Sequence, residues 1–280
     1  MKSFKKVKLT RKLFLYGILI LFSIIYLIPL FWMISTSLKP ESQVMSVPVQ
    51  WLPKPPQWRN YLDAVQSFPF FRYFSNTLLL TVLNVVGTIF SASLAAYGFS
   101  KLNWKGRDQL FYITIATMFI PSQVLIIPTY LLFTKLGWVN TYLPLFVPAF
   151  CGGGAFNIFL LRQFFVSIPD ELLEAARIDG ASEFRIYSQI ILPLSKPVLF
   201  TVSIFTILFT WNDFFGPLLY LQDPSKWTLA VGLRSFQQQY TTTWSLLMAA
   251  STLSAIPLII MYFLFQKRIT SGFALSGSGK

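Results

Sequence analysis

The chain has 280 residues, 54% of them hydrophobic and only 12% charged, roughly half the charged fraction usual in soluble domains. Histidine is absent and Cys151 is the single cysteine, which excludes an intrachain disulfide, a Cys/His metal site and any Ser-His-Asp or Cys-His nucleophile. A net charge of +13 would suggest nucleic acid in a soluble protein, but here the basic residues flank apolar runs, so membrane topology explains them and no nucleic-acid partner is expected.

Charge-free stretches run through 13–38, 73–100, 109–134, 136–161, 197–222 (broken by Asp213) and 235–266. Each exceeds the ~20 residues that cross about 30 Å of hydrocarbon. They predict an all-α integral membrane protein, a single transmembrane domain over 1–280, with six helices near 13–34, 77–99, 109–133, 143–165, 197–220 and 244–265. The first apolar run is longer than a signal peptide's core and no small-residue cleavage site follows it, so it is expected to stay as an anchor. Pro121, Pro128, Pro144, Pro148, Pro257 and the Gly152-Gly153-Gly154 run mark kinks or breaks.

Lysine and arginine counts set the orientation. With the N-terminus inside, 16 of the 23 basic residues fall on the inner side. They include the Lys2–Lys12 cluster, Lys101, Lys105 and Arg107, and then Arg162, Arg177, Arg185 and Lys196. Both termini are therefore expected in the cytoplasm. Trp32, Trp138, Trp227 and Trp244 fall near the predicted outer ends, as an aromatic belt requires. Of the outer loops, 35–76 is the longest, with a proline-rich start and a short interfacial helix expected at Trp58–Val65; 221–243 carries the polar run Gln237–Thr243.

The stretch 168–197 reads IPDELLEAARIDGASEFRIYSQIILPLSKP and is too polar to cross a bilayer. Pro169 suits a first helical turn, and Asp170 and Glu171 follow where negative charge complements the helix dipole. Leu172, Leu173, Ala175 and Ala176 favour helix, and Gly180 can end it. Ser182 can cap a second helix, whose Phe184, Tyr187 and Ile191 form an apolar stripe. Pro193 and Pro197 close the unit. The reading is helix, glycine elbow, helix. The Ala-Ala pair leaves part of the first helix smooth for close approach of another surface.

Within the predicted spans Asp213 is the one carboxylate, and an intramembrane carboxylate is a functional candidate. Counted from Pro197 at ~1.5 Å per residue, it lies about 24 Å along the span, in its outer third. That depth suits an external gate or the mouth of a solute path. It equally suits a carboxylate reaching water or capping a helix broken beside Gly216-Pro217. Asn84, Gln123, Asn157 and Asn212 could hydrogen-bond solute hydroxyls, and Trp211 could stack on a ring. Such side chains also bridge neighbouring helices. No phosphate-binding G-x-x-x-x-G-K-[ST] is present, and Gly277-Ser278-Gly279-Lys280 lacks the strand, loop and helix such a site needs. ATP hydrolysis, if it powers this protein, belongs to a partner.

Two segments carry a resemblance. Glu174-Ala175-Ala176, then Asp179-Gly180-Ala181 and the ending Ile190-x-Leu192-Pro193, resemble the cytoplasmic EAA loop of permease subunits in binding-protein-dependent ABC importers. Trp211-Asn212-Asp213-Phe214-Phe215-Gly216-Pro217-Leu218 resembles W-N-[DE]-F-x-x-P-L of sugar permeases, so the chain is similar to carbohydrate importers of the maltose and multiple-sugar type. The resemblance implies the type I ABC importer permease fold in a bacterial or archaeal cell membrane. It implies as partners a second permease, two cytoplasmic ATPases that hold ATP and Mg, and an extracytoplasmic solute-binding protein, with a sugar as solute. No cofactor is expected in this chain. Glu174 and Asp179 would hold the loop against an ATPase, while Ala175, Ala176 and Gly180 permit close fit and the elbow; Glu171, Ala181, Ile190, Leu192 and Pro193 belong to the same coupling loop. The tail departs from the family, residues 272–280 reading GFALSGSGK. An ion-coupled secondary transporter, a membrane scaffold, or a permease for another solute class are the alternatives that the residues leave open.

Overall fold

The computed structural model describes the backbone of residues 2–237 and 243–277 and the side chains of 12–237 and 243–266. Most of the polar run Gln237–Thr243 and the side chains of the basic N-terminus and the C-terminal tail lie outside these residues. The principal helices in chain order are α1 (Lys2–Ser37), α2 (Arg59–Gln66), α3 (Phe70–Ser100), α4 (Arg107–Ala116), α5 (Ser122–Lys135), α6 (Leu143–Phe150), α7 (Ala155–Val166), α8 (Asp170–Ile178), α9 (Glu183–Ile186), α10 (Lys196–Trp211), α11 (Phe215–Tyr220) and α12 (Trp244–Gly277).

Among the described residues four stretches are helical and apolar enough to cross a bilayer: Lys12–Ser37, Phe70–Ser100, Leu143–Val166 and Trp244–Gln266. Two bent pairs bring the number to six. Three stretches expected as continuous helices are interrupted, each for a local reason. Arg107–Phe119 and Ser122–Lys135 meet at 101°, where Ile120 and Pro121 are extended and proline blocks helix continuation. Between α6 and α7, Gly152, Gly153 and Gly154 all take positive φ (110°, 64° and 89°), a conformation only glycine reaches cheaply. The 197–220 stretch stops at Trp211 and restarts at Phe215. At its other end, α10 bends by 78° from the helical segment Glu183–Leu194, across Ser195.

Tertiary contacts divide the chain into two compact units, Met1–Pro69 with Leu233–Pro257, and Phe70–Gly232 with Leu258–Lys280. In the first unit the long outer loop is folded onto helix ends. Ser35 donates to the Trp51 carbonyl, Ser37 and Tyr61 share a 2.7 Å hydrogen bond, and Asn60 donates to the carbonyls of Ser37 and Lys39, each at 2.9 Å. The carboxylate of Glu41 accepts from the backbone of Trp244 and Ser245, both at 2.9 Å, and from the Ser245 hydroxyl at 2.6 Å. A carboxylate at a helix N-terminus satisfies orphan N–H groups and complements the dipole.

The second unit is organised around α3, which packs against α6, α7 and α10. Its core is built by Ala92, Ala96, Leu161, Phe165, Leu173, Ile186, Ile191 and Val202, all fully or almost fully buried. Lipid tails are as apolar as leucine, so such helices associate through close packing and hydrogen bonds. Gly87 accepts the Phe150 ring where a Cβ would meet it at 2.6 Å, and Gly153 lies where a Cβ would meet Thr88 O and Ala92 Cβ, both at 2.9 Å. Asn84 Nδ2 donates to Leu145 O at 3.0 Å and Ser91 Oγ to Ala149 O at 2.6 Å, tying α3 to α6; such bonds contribute about 0.6 kcal/mol each.

Candidate functional site

The polar loop opens with α8. Pro169 is its N-cap and Asp170 and Glu171 occupy the first turn. Its end is a Schellman turn: Gly180 N–H donates to Arg177 O at 3.0 Å and Ala181 N–H to Ala176 O at 2.9 Å. Gly180 supplies the left-handed residue (φ 80°), and a Cβ there would point into open space. Ser182 then caps α9 by accepting from Arg185 N at 3.3 Å. The chain continues through a π turn at Tyr187–Ile191 and the short Leu192–Leu194 helix.

The loop turns one face inward. Leu173, Ile186, Tyr187 and Ile191 are buried, and Ala176, Ala181, Ile190 and Leu192 pack against them. Outward stand Glu171, Glu174, Ala175, Asp179, Gly180 and Pro193. Phe184, expected on the apolar stripe, is 70% exposed, whereas Tyr187 and Ile191 of that stripe are buried together with Ile186. Ile178 is 87% exposed. The Ala-Ala pair is also split: Ala175 faces out while Ala176 is half buried in the core.

Glu183, in the first turn of α9 and not singled out by the sequence, has a dense set of partners. Arg177 Nε donates to its Oε1 at 2.7 Å, and the Tyr97 hydroxyl at the end of α3 donates to its Oε2 at 2.5 Å. Lys101, its side chain almost wholly buried, reaches Asp170 Oδ1 and the Ile168 carbonyl, both at 2.6 Å.

A cavity of about 750 Å³ lies among α3, α6, α7, α10 and α11. Asn84, Asn157 and Asp213 line it, so three of the six solute-path candidates come together. Asn84 Nδ2 is held by Leu80 O and Leu145 O, which leaves its amide oxygen to offer a solute, while Asn157 Nδ2 donates to Gly153 O alone among the described residues, which leaves its oxygen and one N–H. Asp213 Oδ1 accepts from Gly216 N–H at 3.0 Å, so this residue both caps α11 and faces the cavity. The remaining three candidates lie elsewhere. Gln123 is exposed on α5, beyond the 101° break. Trp211 is buried edge-on against Phe74, with ring centroids 5.7 Å apart. Asn212 Nδ2 folds back onto Leu208 O at 2.7 Å and does not line the cavity. Neighbours of Asp213 in sequence need not share its direction once the helix stops at Trp211.

The cavity also uses residues that the sequence did not single out: the hydroxyls of Thr88, Thr206 and Thr210 and the rings of Phe156, Phe205 and Tyr220. Thr206 and Thr210 precede Asp213 by about two and one helical turns, a spacing that could have flagged them. Sparse polar groups in an apolar, aromatic wall can orient a polar solute. Among the described residues no cluster of metal-ligating side chains occurs.

Residues 87–274 match the family described as "Binding-protein-dependent transport system inner membrane component". The probable ABC transporter permease protein YurM of Bacillus subtilis is 35% identical over 96% of this chain and 86% of its own length. The arabinooligosaccharides transport system permease protein AraQ of the same organism is 32% identical over 91% of each chain. The trehalose/maltose transport system permease protein MalG of Thermococcus litoralis is 35% identical over 90% of this chain and 91% of its own. Among solved structures, a chain of a bacterial ABC transporter involved in the import of the acidic polysaccharide alginate superposes with a TM-score of 0.80 at 28% identity, covering 91% of this chain and 95% of that one. The ion-coupled and scaffold alternatives fall away. The chain belongs to the family of binding-protein-dependent transport inner membrane components, and is a multi-pass membrane permease subunit of an ABC transporter.

Proposed function

We propose that this permease serves an ATP-driven carbohydrate importer, with both termini and the 168–197 loop in the cytoplasm and the cavity on the solute path. The observation that carries the docking reading is the outer face of the loop. Ile178 and Phe184 stand far out on either side of the Gly180 elbow, among Glu171, Glu174 and Asp179. Exposed apolar anchors rimmed by charge call for a protein cover. A cytoplasmic ATPase subunit supplies it, receiving α8 in a surface cleft and holding ATP and Mg. Two ATPases and two permeases complete the assembly, the partner being a second, similar permease, and a solute-binding protein delivers from outside. The excess of basic residues on the inner side supports this orientation.

Carbohydrate as the solute class rests on two supports. The cavity pairs amide and hydroxyl groups with aromatic rings, which suits hydroxyl-rich molecules with apolar ring faces. AraQ and MalG are named for arabinooligosaccharide and trehalose/maltose transport. Affinity purification of the tagged chain in mild detergent tests the assembly. A P-loop ATPase and a second six-helix permease should copurify, with the ATPase lost when Glu174 and Gly180 are both replaced. Recovery of the chain alone, under conditions where a known importer stays assembled, would refute it.

A further inference from the structure

Ser93, Tyr97 and Lys101 lie four residues apart, on one face of the last two turns of α3 and the residue that follows. Each grips a different part of the polar loop. Ser93 Oγ shares a buried 2.7 Å hydrogen bond with the Tyr187 hydroxyl. Tyr97 donates to Glu183, which Arg177 clasps from the end of α8. Lys101 holds Asp170 and the Ile168 carbonyl at the start of α8. The helix α8 is thus fastened at both ends to α3. The same α3 lines the cavity with Asn84 and Thr88. From Asn84 to Lys101 it runs about 25 Å without a break.

We propose that the Ser93–Tyr97–Lys101 stripe is the linkage through which displacement of α8 reaches the cavity wall, with Tyr97 and Lys101 as its positioning residues. A single apolar contact would let α8 slide over α3; two polar fastenings near its ends make the pair move as one body. The proposal rests on the importer reading above. It deepens that reading by naming which membrane helix takes the load and by which side chains.

Cys151, exposed and the only cysteine, lines the same cavity and reports on it. The complex, copurified with its ATPases and partner permease, is labelled with a fluorescent maleimide, with and without MgATP and vanadate, and the chain is resolved from its partners on a gel. In the wild type, nucleotide should change the Cys151 labelling rate at least about five-fold, the lower end of ordinary site-to-site coupling. Tyr97→Phe keeps the ring and loses the hydroxyl, and Lys101→Met keeps the stem and loses the charge. Each should weaken that response and the pair should abolish it, with copurifying ATPase and basal ATP hydrolysis retained; Lys101→Arg should restore it. A wild-type response in the double variant would overturn the proposal. So would loss of the ATPase from it, since the stripe would then support docking alone, and so would a wild-type Cys151 indifferent to nucleotide. Absence of any ATPase from the wild-type complex would instead sink the importer reading itself.

Discussion

Asp213 and Gly216 leave no room for a side chain between them. Asp213 Oδ1 takes the Gly216 N–H at 3.0 Å, and a Cβ built on Gly216 would lie 2.5 Å from Oδ2 and 3.2 Å from a Leu145 methyl. The carboxylate, the glycine and the break between α10 and α11 therefore form one device at the cavity wall. Gly216→Ala should push the carboxylate off its cap, and Asp213→Ala should remove a capping interaction of about 1 kcal/mol. Both variants should reach the membrane at normal levels with solute uptake reduced, measured beside an immunoblot of membrane fractions. Unchanged uptake in both would assign the device to structure alone.

At Gly180 the constraint is conformational. Its φ of 80° costs an L-residue about 1–2 kcal/mol, more if β-branched. The open space around it leaves a side chain clear of this chain and, on the docking reading proposed above, facing the ATPase. Gly180→Val should leave membrane insertion intact and abolish transport by loosening ATPase binding. Normal uptake in this variant would refute the mechanical role of the elbow.

Ile178 and Phe184 are expected anchors for the ATPase. Replacing either by serine should cost about 2 kcal/mol of docking energy, roughly thirty-fold in Kd. Titration of purified ATPase onto the permease in nanodiscs would read it. Because both side chains are exposed in the free chain, thermal stability of the permease should not fall. A stability loss without an affinity loss would place them in an intramolecular contact instead.

Lys39 is fully buried, with no hydrogen-bond partner for Nζ among the described residues, and Nζ lies 3.8 Å from the centre of the Trp32 ring. Burial pushes its pKa down. A folded pKa below the unfolded value means that the unfolded chain binds more protons between the two, so stability rises with pH through that window. The window ends near the ordinary lysine value of about 10.4. A cation–π contact returns about 2 kcal/mol when desolvated, less than the several kcal/mol that burying the charge costs. Lys39→Met should therefore raise the melting temperature at pH 7 and flatten the alkaline rise. Fluorescence-monitored melts between pH 7 and pH 10 would decide it, and a destabilised Lys39→Met would show that the ring compensates fully.

Much of the site was legible in the chain because its cues are local. The charge-free runs, the Pro169 start, the Gly180 stop and the Ser182 cap depend on a few neighbouring residues, and each works as the residue chemistry requires. The same holds for the breaks at Pro121 and at Gly152-Gly153-Gly154. What the chain did not encode was direction. Asn212, Trp211 and Gln123 are polar or aromatic in an apolar context, as a solute site requires, but composition does not say which way a side chain points after a helix break.

The sequence by itself determined a membrane protein and the helix, elbow and helix of the polar loop, because hydrophobic length, charge distribution and turn chemistry act over short stretches of chain; the class of its transport system came from the resemblance that two segments carry. Tertiary structure alone decided which groups meet. It gathered Asn84, Asn157 and Asp213 around one cavity with unforeseen threonines, left Phe184 facing outward, and buried Lys39 against Trp32. It also joined Tyr97 to Glu183 across 86 residues of chain. Such pairings depend on helix rotation and on where glycines let backbones approach, and no local pattern encodes either.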